Sequence, residues 1–315
     1  MSTIAVDAMG GDSAPEEVVK GAILAKKEGV DVILSGDENL IKSYLGNEKI
    51  PVINYPQVIS MDDDPAKAIR SNKDSSIIGA LNLVKEKKAD AVFSAGSTGA
   101  TLIGAISVLG KIKGVTRPTI ASVLPGKEKE VILVDSGANL EVKPKVLYQF
   151  AIMGSKLSEL LFDIENPRIG LINNGEESSK GRELEKATFK LLKSSQLNFI
   201  GNVEGKDFAN SKVDVFVTDG FTGNVVLKTL QGVAKLQQDL ISKSLKENLF
   251  KPLLVPVKNA ISPVKSMLNP NSTNGSYLLG VNGLVIIGHG SSNSEAIKNA
   301  LLFTSRAVEL SLIHI

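Results

Sequence analysis

Cysteine is absent from the 315 residues. That excludes disulfides, thiolate metal sites, iron–sulfur clusters and a cysteine nucleophile. Histidine is nearly absent too: His289 and His314 are the whole supply. No histidine-rich zinc site can be built, and a Ser-His-Asp triad would have to use one of those two. Tryptophan is missing and aromatic residues reach only 4%, too few for base-stacking platforms, so no nucleic-acid partner is expected. Neither charge sign dominates, with 36 Lys and Arg against 34 Asp and Glu and a net charge of +2. That balance excludes a polyanion-wrapping protein but leaves room for a local basic patch. No uncharged apolar run reaches the roughly 18 residues that a membrane-spanning helix needs. The opening Met1–Asp7 has no basic stretch leading into an apolar one, so it reads as a first strand and not as a signal peptide; the expected location is the cytoplasm.

What is present is an ordinary globular composition, 43% hydrophobic and 22% charged. The length suits one α/β domain over 1–315, or two lobes of it. Short β-branched runs alternate with helical patterns. Strands are expected at Thr3–Ala8, Asp31–Ser35, Pro51–Asn54, Ala89–Ser94, Thr119–Val123, Val131–Val134, Arg168–Ile172, Leu197–Ile200, Val213–Thr218 and Gly283–Ile287. Spacings such as Ile78, Leu81, Val84 and Leu147, Phe150, Ala151, Gly154, Leu157 mark helices between them. Alternation of this kind predicts a doubly wound, mostly parallel sheet covered by helices on both faces. Asp62-Asp63-Asp64-Pro65 reads as a helix start with proline at its first position, in preference to a metal site.

Six strands run straight into glycine-bearing turns. These are 9–12 with Gly10 and Gly11, 95–99, 135–139, 173–176, 219–224 and 288–293. Ligands of open α/β sheets bind outside the carboxyl ends of strands. The six turns are therefore expected to crowd one rim and to share a site. Ser97-Thr98-Gly99 and Gly290-Ser291-Ser292 each sit where a strand gives way to a helix, a natural anion position, although Ser97 or Ser291 could equally be a simple helix cap. Lys180 is placed at a helix start, against the dipole, which marks it as a candidate for function or as a plain solvent-facing lysine. Asn224 and Asn139 occupy similar turns. His289, between two glycines after an apolar strand, can donate to an oxyanion or exchange a proton near neutral pH. The P-loop pattern and a G-x-G-x-x-G opening are both lacking, which weakens nucleotide readings.

One region breaks the alternation. A long polar helix over Thr222–Asn248 leads into a proline-punctuated segment at 249–268. There Leu254, Val257, Ile261 and Val264 form an apolar stripe bordered by Lys251, Lys258 and Lys265. That is the composition of an interfacial membrane contact, or of a dimer interface. It predicts a long helix and an amphipathic, protruding hairpin over 222–268.

The motifs Ile4–Asp12, Ser94–Ala100, Asn173–Gly181, Asn202–Gly205, Asp214–Asn224, Gly280–Gly283 and His289–Asn293 together resemble the PlsX family of acyl-ACP:phosphate acyltransferases, over nearly the whole chain. The resemblance implies transfer of a fatty acyl group from acyl carrier protein to inorganic phosphate, giving acyl phosphate for phospholipid synthesis. It implies a fold like that of isocitrate and isopropylmalate dehydrogenases, a homodimer, and peripheral attachment to the membrane surface. It assigns catalysis to Lys180 and Asn224, with His289 as a further candidate. On the residue chemistry, phosphate is expected to be held by Lys180 with Ser97, Thr98, Gly99, Gly290, Ser291 and Ser292, while Asn224 and His289 orient or polarise the thioester. Asp7, Gly10, Gly11, Asn139, Asn173, Glu176 and Asp219 would form the remaining rim. Such chemistry needs neither metal nor cofactor, because phosphate is already nucleophilic and a thiolate leaves readily. Lys111, Lys113 and Arg117 are the expected docking patch for the acidic carrier protein. The competing readings are a phosphate acetyltransferase using acyl-coenzyme A, a non-catalytic phosphate-binding protein, and an isopropylmalate-type dehydrogenase, the last poorly served by the scarcity of grouped arginines.

Overall fold

The computed structural model describes residues 2–248 and 275–312. Eleven strands form one sheet: β1 (Thr3–Asp7), β2 (Asp31–Gly36), β3 (Val52–Asn54), β4 (Ala91–Ser94), β5 (Thr119–Leu124), β6 (Val131–Val134), β7 (Ile169–Ile172), β8 (Phe199–Val203), β9 (Val215–Val217), β10 (Ser276–Leu279) and β11 (Leu284–Ile287). Their order across the sheet is β3-β2-β1-β4-β11-β10-β5-β6-β9-β7-β8. The helices are α1 (Glu16–Lys27), α2 (Glu38–Leu45), α3 (Pro65–Ser71), α4 (Ser76–Lys85), α5 (Thr98–Val108), α6 (Pro144–Phe162), α7 (Glu183–Lys193), α8 (Gly220–Asn248) and α9 (Ser294–Glu309).

Local chemistry sets many of the boundaries. Asp64 caps α3 by accepting from the Lys67 amide at 2.8 Å, and Pro65 takes the first helical position, as the acidic cluster predicts. Strands such as Val131–Val134 and Ile169–Ile172 are buried throughout, because helices lie on both faces. One face packs α1, α6 and α9 over Val6, Phe93, Val134 and Leu171. The other packs α4 and α5 over Ala5, Val92 and Val285. A third apolar cluster around Leu133, Phe208 and Phe216 receives Val226 and Leu227 of α8.

Seven of the ladders are parallel. Those joining β11 to β10, β10 to β5 and β5 to β6 are antiparallel. The sheet therefore holds two oppositely directed parallel sets, β3-β2-β1-β4-β11 and β6-β9-β7-β8, spliced through β10 and β5. This corrects the expectation of a single rim. Three of the six glycine turns leave one set and three leave the other.

The register nonetheless brings the two groups of turns together. Ser94 pairs with Ile287, Ile287 with Ser276, Ser276 with Ser122, and Ser122 with Leu133. The last residues of β4 and β11 thus lie level with the penultimate-turn side of β6, and Asp135 lies only about 7 Å further along. The two sets are staggered so that their carboxyl ends meet in the middle of the molecule.

Candidate functional site

Where those ends meet lies a cavity of about 280 Å³. Thr98, Ile287, Gly288 and His289 reach it from the first set, and Ser136, Gly137, Asn224, Leu227 and Lys228 from the second; Ile120 and Ser276 come from the splice strands. Thr98 is the first residue of α5, whose cap Ser97 accepts from the Ala100 amide at 3.4 Å. A helix amino terminus therefore points at this space.

The start of α8 is held by backbone-level fits. Asp219 caps it, accepting from the Thr222 amide at 2.7 Å. The Gly220 amide donates to the Asn139 carbonyl at 2.8 Å, and a Cβ on Gly223 would stand 1.8 Å from the Asp135 carbonyl oxygen. Only glycine allows that approach. Asp135 in turn accepts from the amides of Gly137, Ala138 and Asn139, at 2.9, 2.8 and 2.8 Å. Burial pushes the Asp135 carboxyl above the usual carboxylate range, while those donors oppose the shift. From this fixed start, Asn224, Leu227, Lys228 and Gln231 follow at i, i+3, i+4 and i+7 on one face of the helix. Asn224 packs over Gly137, and Gln231 reaches His289, with 3.3 Å between Gln231 Nε2 and His289 Nε2. With the amide nitrogen as the donor in this pair, the ring Nε2 is the acceptor. Burial, and then the charge of Lys228, hold the His289 pKa below the ordinary histidine value.

The other expected residues fall around this centre. Asp7 ends β1, buried, with the Ser94 hydroxyl donating to Oδ2 at 2.7 Å and Oδ1 without a partner among the described residues. Burial drives its carboxyl upward. A Cβ on Gly10 would stand 2.7 Å from the Gly96 amide nitrogen, so the turns after β1 and β4 touch backbone to backbone. Gly99 lies against Pro65. Gly11 lets the next turn form, with the Asp12 amide donating to the Gly290 carbonyl at 2.8 Å. Asn139 is structural: its Nδ2 donates to the Pro118 carbonyl at 2.9 Å and to Asp135 at 2.8 Å. Asn173 Nδ2 donates to the Lys180 carbonyl at 3.1 Å, and Glu176 pairs with Lys212 at 2.9 Å.

Two expectations are corrected. Ser291 and Ser292 do not open the last helix. The cap of α9 is Asn293, which accepts from Ala296 at 2.9 Å, and the Ser294 amide is taken by the Glu17 carboxylate at 2.6 Å. That helix start already holds an anion, the protein's own. Lys180 is not inside the first turn of a helix either. α7 begins at Glu183 with Arg182 as its cap. Lys180 lies in the preceding turn, its stem against Gly175, and does not line the cavity. Arg182 bonds both Glu185 and Asp219, which ties the Lys180 turn to the start of α8. Lys111, Lys113 and Arg117 are exposed at the far end of α5, roughly 16 Å from Thr98 by helix length. The stripe Leu254, Val257, Ile261 and Val264 lies outside the described residues.

Lys228, Gln231, Ser136 and Ser276 were not singled out from the sequence. For the first two the signal existed: they continue the helical face that begins at Asn224. Ser276 and Ser136 owe their place to strand pairing, which local pattern does not carry.

The fold, a large and mostly parallel α/β sheet, is one that solved proteins of low sequence identity share. It matches EutD phosphotransacetylase from Staphylococcus aureus with a TM-score of 0.62 at 18% identity, covering 97% of this chain and 94% of that one. It also matches 4-hydroxythreonine-4-phosphate dehydrogenase from Klebsiella pneumoniae with a TM-score of 0.56 at 13% identity, covering 97% and 99%. More narrowly, the chain belongs to the fatty acid synthesis protein family, whose model matches residues 2–314. Relatives named phosphate acyltransferase include one from Halothermothrix orenii, 42% identical over 98% of this chain and 96% of its own. Another, from Clostridium botulinum, is 46% identical over 95% and 91%.

Proposed function

We propose that this protein transfers a fatty acyl group from acyl carrier protein to inorganic phosphate, releasing acyl phosphate for phospholipid synthesis. The observation that carries the reading is the 280 Å³ cavity, where the α5 amino terminus, Asn224, Lys228 and His289 converge. A phosphate oxygen attacks the thioester carbonyl; the C–O bond forms, the C–S bond breaks, and the proton of hydrogen phosphate ends on the departing thiol. Holding the two reactants in line supplies roughly 7–11 kcal/mol of the barrier. A donor placed on the developing oxyanion contributes about 3–4 kcal/mol. Asn224 and a ring N–H of His289 are donors of that kind, and the Ser97–Gly99 turn suits the phosphate. Lys180 enters from the adjoining turn when the thioester is bound. Asp7 and Asp219 hold the turns in place.

The test is phosphate-dependent release of carrier-protein thiol from a purified acyl carrier thioester. Activity with acyl-coenzyme A in place of the carrier would favour the phosphotransacetylase-like reading that the fold neighbours suggest, and phosphate binding without thiol release would favour a binding protein. Lys180→Ala and Asn224→Ala should each lower turnover while leaving the fold intact.

The same reading includes a cytoplasmic homodimer, an arrangement of the two strand sets like that of isocitrate and isopropylmalate dehydrogenases, and a hairpin over 222–268 that meets the membrane surface peripherally. Support comes from α8, where Val233, Leu236 and Leu240 are exposed large apolar side chains. No helix among the described residues is long and apolar enough to cross a membrane.

A further inference from the structure

We infer that Lys228 is the residue that anchors phosphate in the cavity; the inference rests on the phosphate-acyltransfer reading. Among the described residues, Lys228 carries the one fixed charge in the lining, whose other polar groups are hydroxyls, an amide and the imidazole. Its ammonium makes no ion pair or hydrogen bond among the described residues. Lys20, Lys42, Lys212 and Lys298 have carboxylate partners, while other exposed lysines, Lys228 among them, do not; Lys228 is set apart by its place in the cavity lining. A cation left uncompensated in a concave polar site is completed by an anion. It lies one turn beyond Asn224 on a helix whose start is fixed by Gly220 and Gly223, so its stem is held on the cavity side. The α5 amino terminus faces the same space through Thr98. Together they offer a charge and a set of amides to one tetrahedral dianion.

The lysine has a second effect. His289 stands close enough for its pKa to be lowered by Lys228, and Gln231 occupies its Nε2. The Asp12 carboxylate lies against Gly290, the next residue in the chain, and is the charged neighbour of this turn on the other side. Without Lys228 the imidazole would gain a proton more easily, and with phosphate present that protonated ring would bind the nucleophile in place of polarising the thioester.

The experiment compares wild type, Lys228→Met, Lys228→Arg and, as control on the same helix, Lys235→Met. Steady-state kinetics with acyl carrier thioester should show the phosphate KM rising about 10- to 100-fold in K228M, the loss expected of one charge-assisted contact. The KM for the thioester should stay within about twofold, K228R should recover most of the phosphate affinity, and K235M should match wild type. Proton NMR titration of His289, assigned with His289→Gln, should show its pKa moving up in K228M. An unchanged phosphate KM together with an unmoved His289 titration overturns the inference. Calorimetric titration with inorganic phosphate separates it from the reading beneath it. If wild type bound phosphate but released no thiol, acyl transfer would fail while the Lys228 contact could still be measured by its loss in K228M. Equal phosphate affinity in the two proteins would sink Lys228 alone.

Discussion

Helix α8 is two different objects along one axis. Over its first turns, glycine backbone lies against the Asp135 and Asn139 carbonyls, Asp219 caps the amides, and Asn224, Leu227 and Lys228 face the cavity. Two turns further on, Val233, Leu236 and Leu240 stand in the open. The first stretch is specified by close approach, the second by no such fit among the described residues. The lesson is that the site end of the helix tolerates almost no added atom, whereas the far end carries apolar side chains that the described residues leave exposed.

The sharpest way to break this contrast is at paired glycines. Gly223→Ala should cost about 3 kcal/mol of stability in chemical denaturation, because its Cβ meets a backbone oxygen that cannot rotate away. Gly232, in the same helix, has open space around it, so Gly232→Ala should gain about 0.5–1 kcal/mol from helix propensity. Equal effects at both sites would erase the distinction. Next in size, Asp219→Ala removes the cap and the partner of Arg182, and a loss of about 1–2 kcal/mol is expected in the same measurement. Smaller still, Leu236→Ser combined with Leu240→Ser should change stability by no more than about 0.5 kcal/mol. It should weaken self-association in sedimentation or flotation with anionic liposomes; unaltered behaviour in both would remove the far end from any interface.

A pH experiment extends the contrast to a buried group left half-partnered. Burial raises the Asp7 carboxyl in the folded state. Its contribution is therefore fully present below the unfolded value of about 4 and is lost as pH rises through the folded value. Asp7→Asn escapes that loss. The melting temperature of Asp7→Asn minus that of wild type should grow from pH 4 to pH 7, and a flat difference would contradict the assignment.

Much of the fold could be read from local pattern. All ten expected strands are present, and the long helix begins at Gly220, close to the expected Thr222. β10 escaped because Ser276–Leu279 runs almost directly into Gly280–Ile287, and a short buried strand shows no alternation to separate it from its neighbour. Its omission hid the more important fact. Strand direction is a property of pairing between distant residues, so the reversal through β10 and β5 could not be seen in any window of sequence. The site was legible in part for the same reason. Asn224, Thr98 and His289 announced themselves by turn chemistry, yet the amides of α9 proved to be satisfied by Glu17, a residue 277 positions away from Ser294. Lys180 carried the stronger local signal, but Lys228, at ordinary helical spacing, is the lysine in the cavity lining.

The pairing of Ser276 with both Ser122 and Ile287 makes β10 a ruler between the two halves of the pocket. Sliding it by a single position would shift Thr98 and His289 by about 3.3 Å relative to Asn224 and Lys228, and would turn its side chains to the wrong face. Four residues of backbone thus calibrate a distance that no side chain in the pocket could restore.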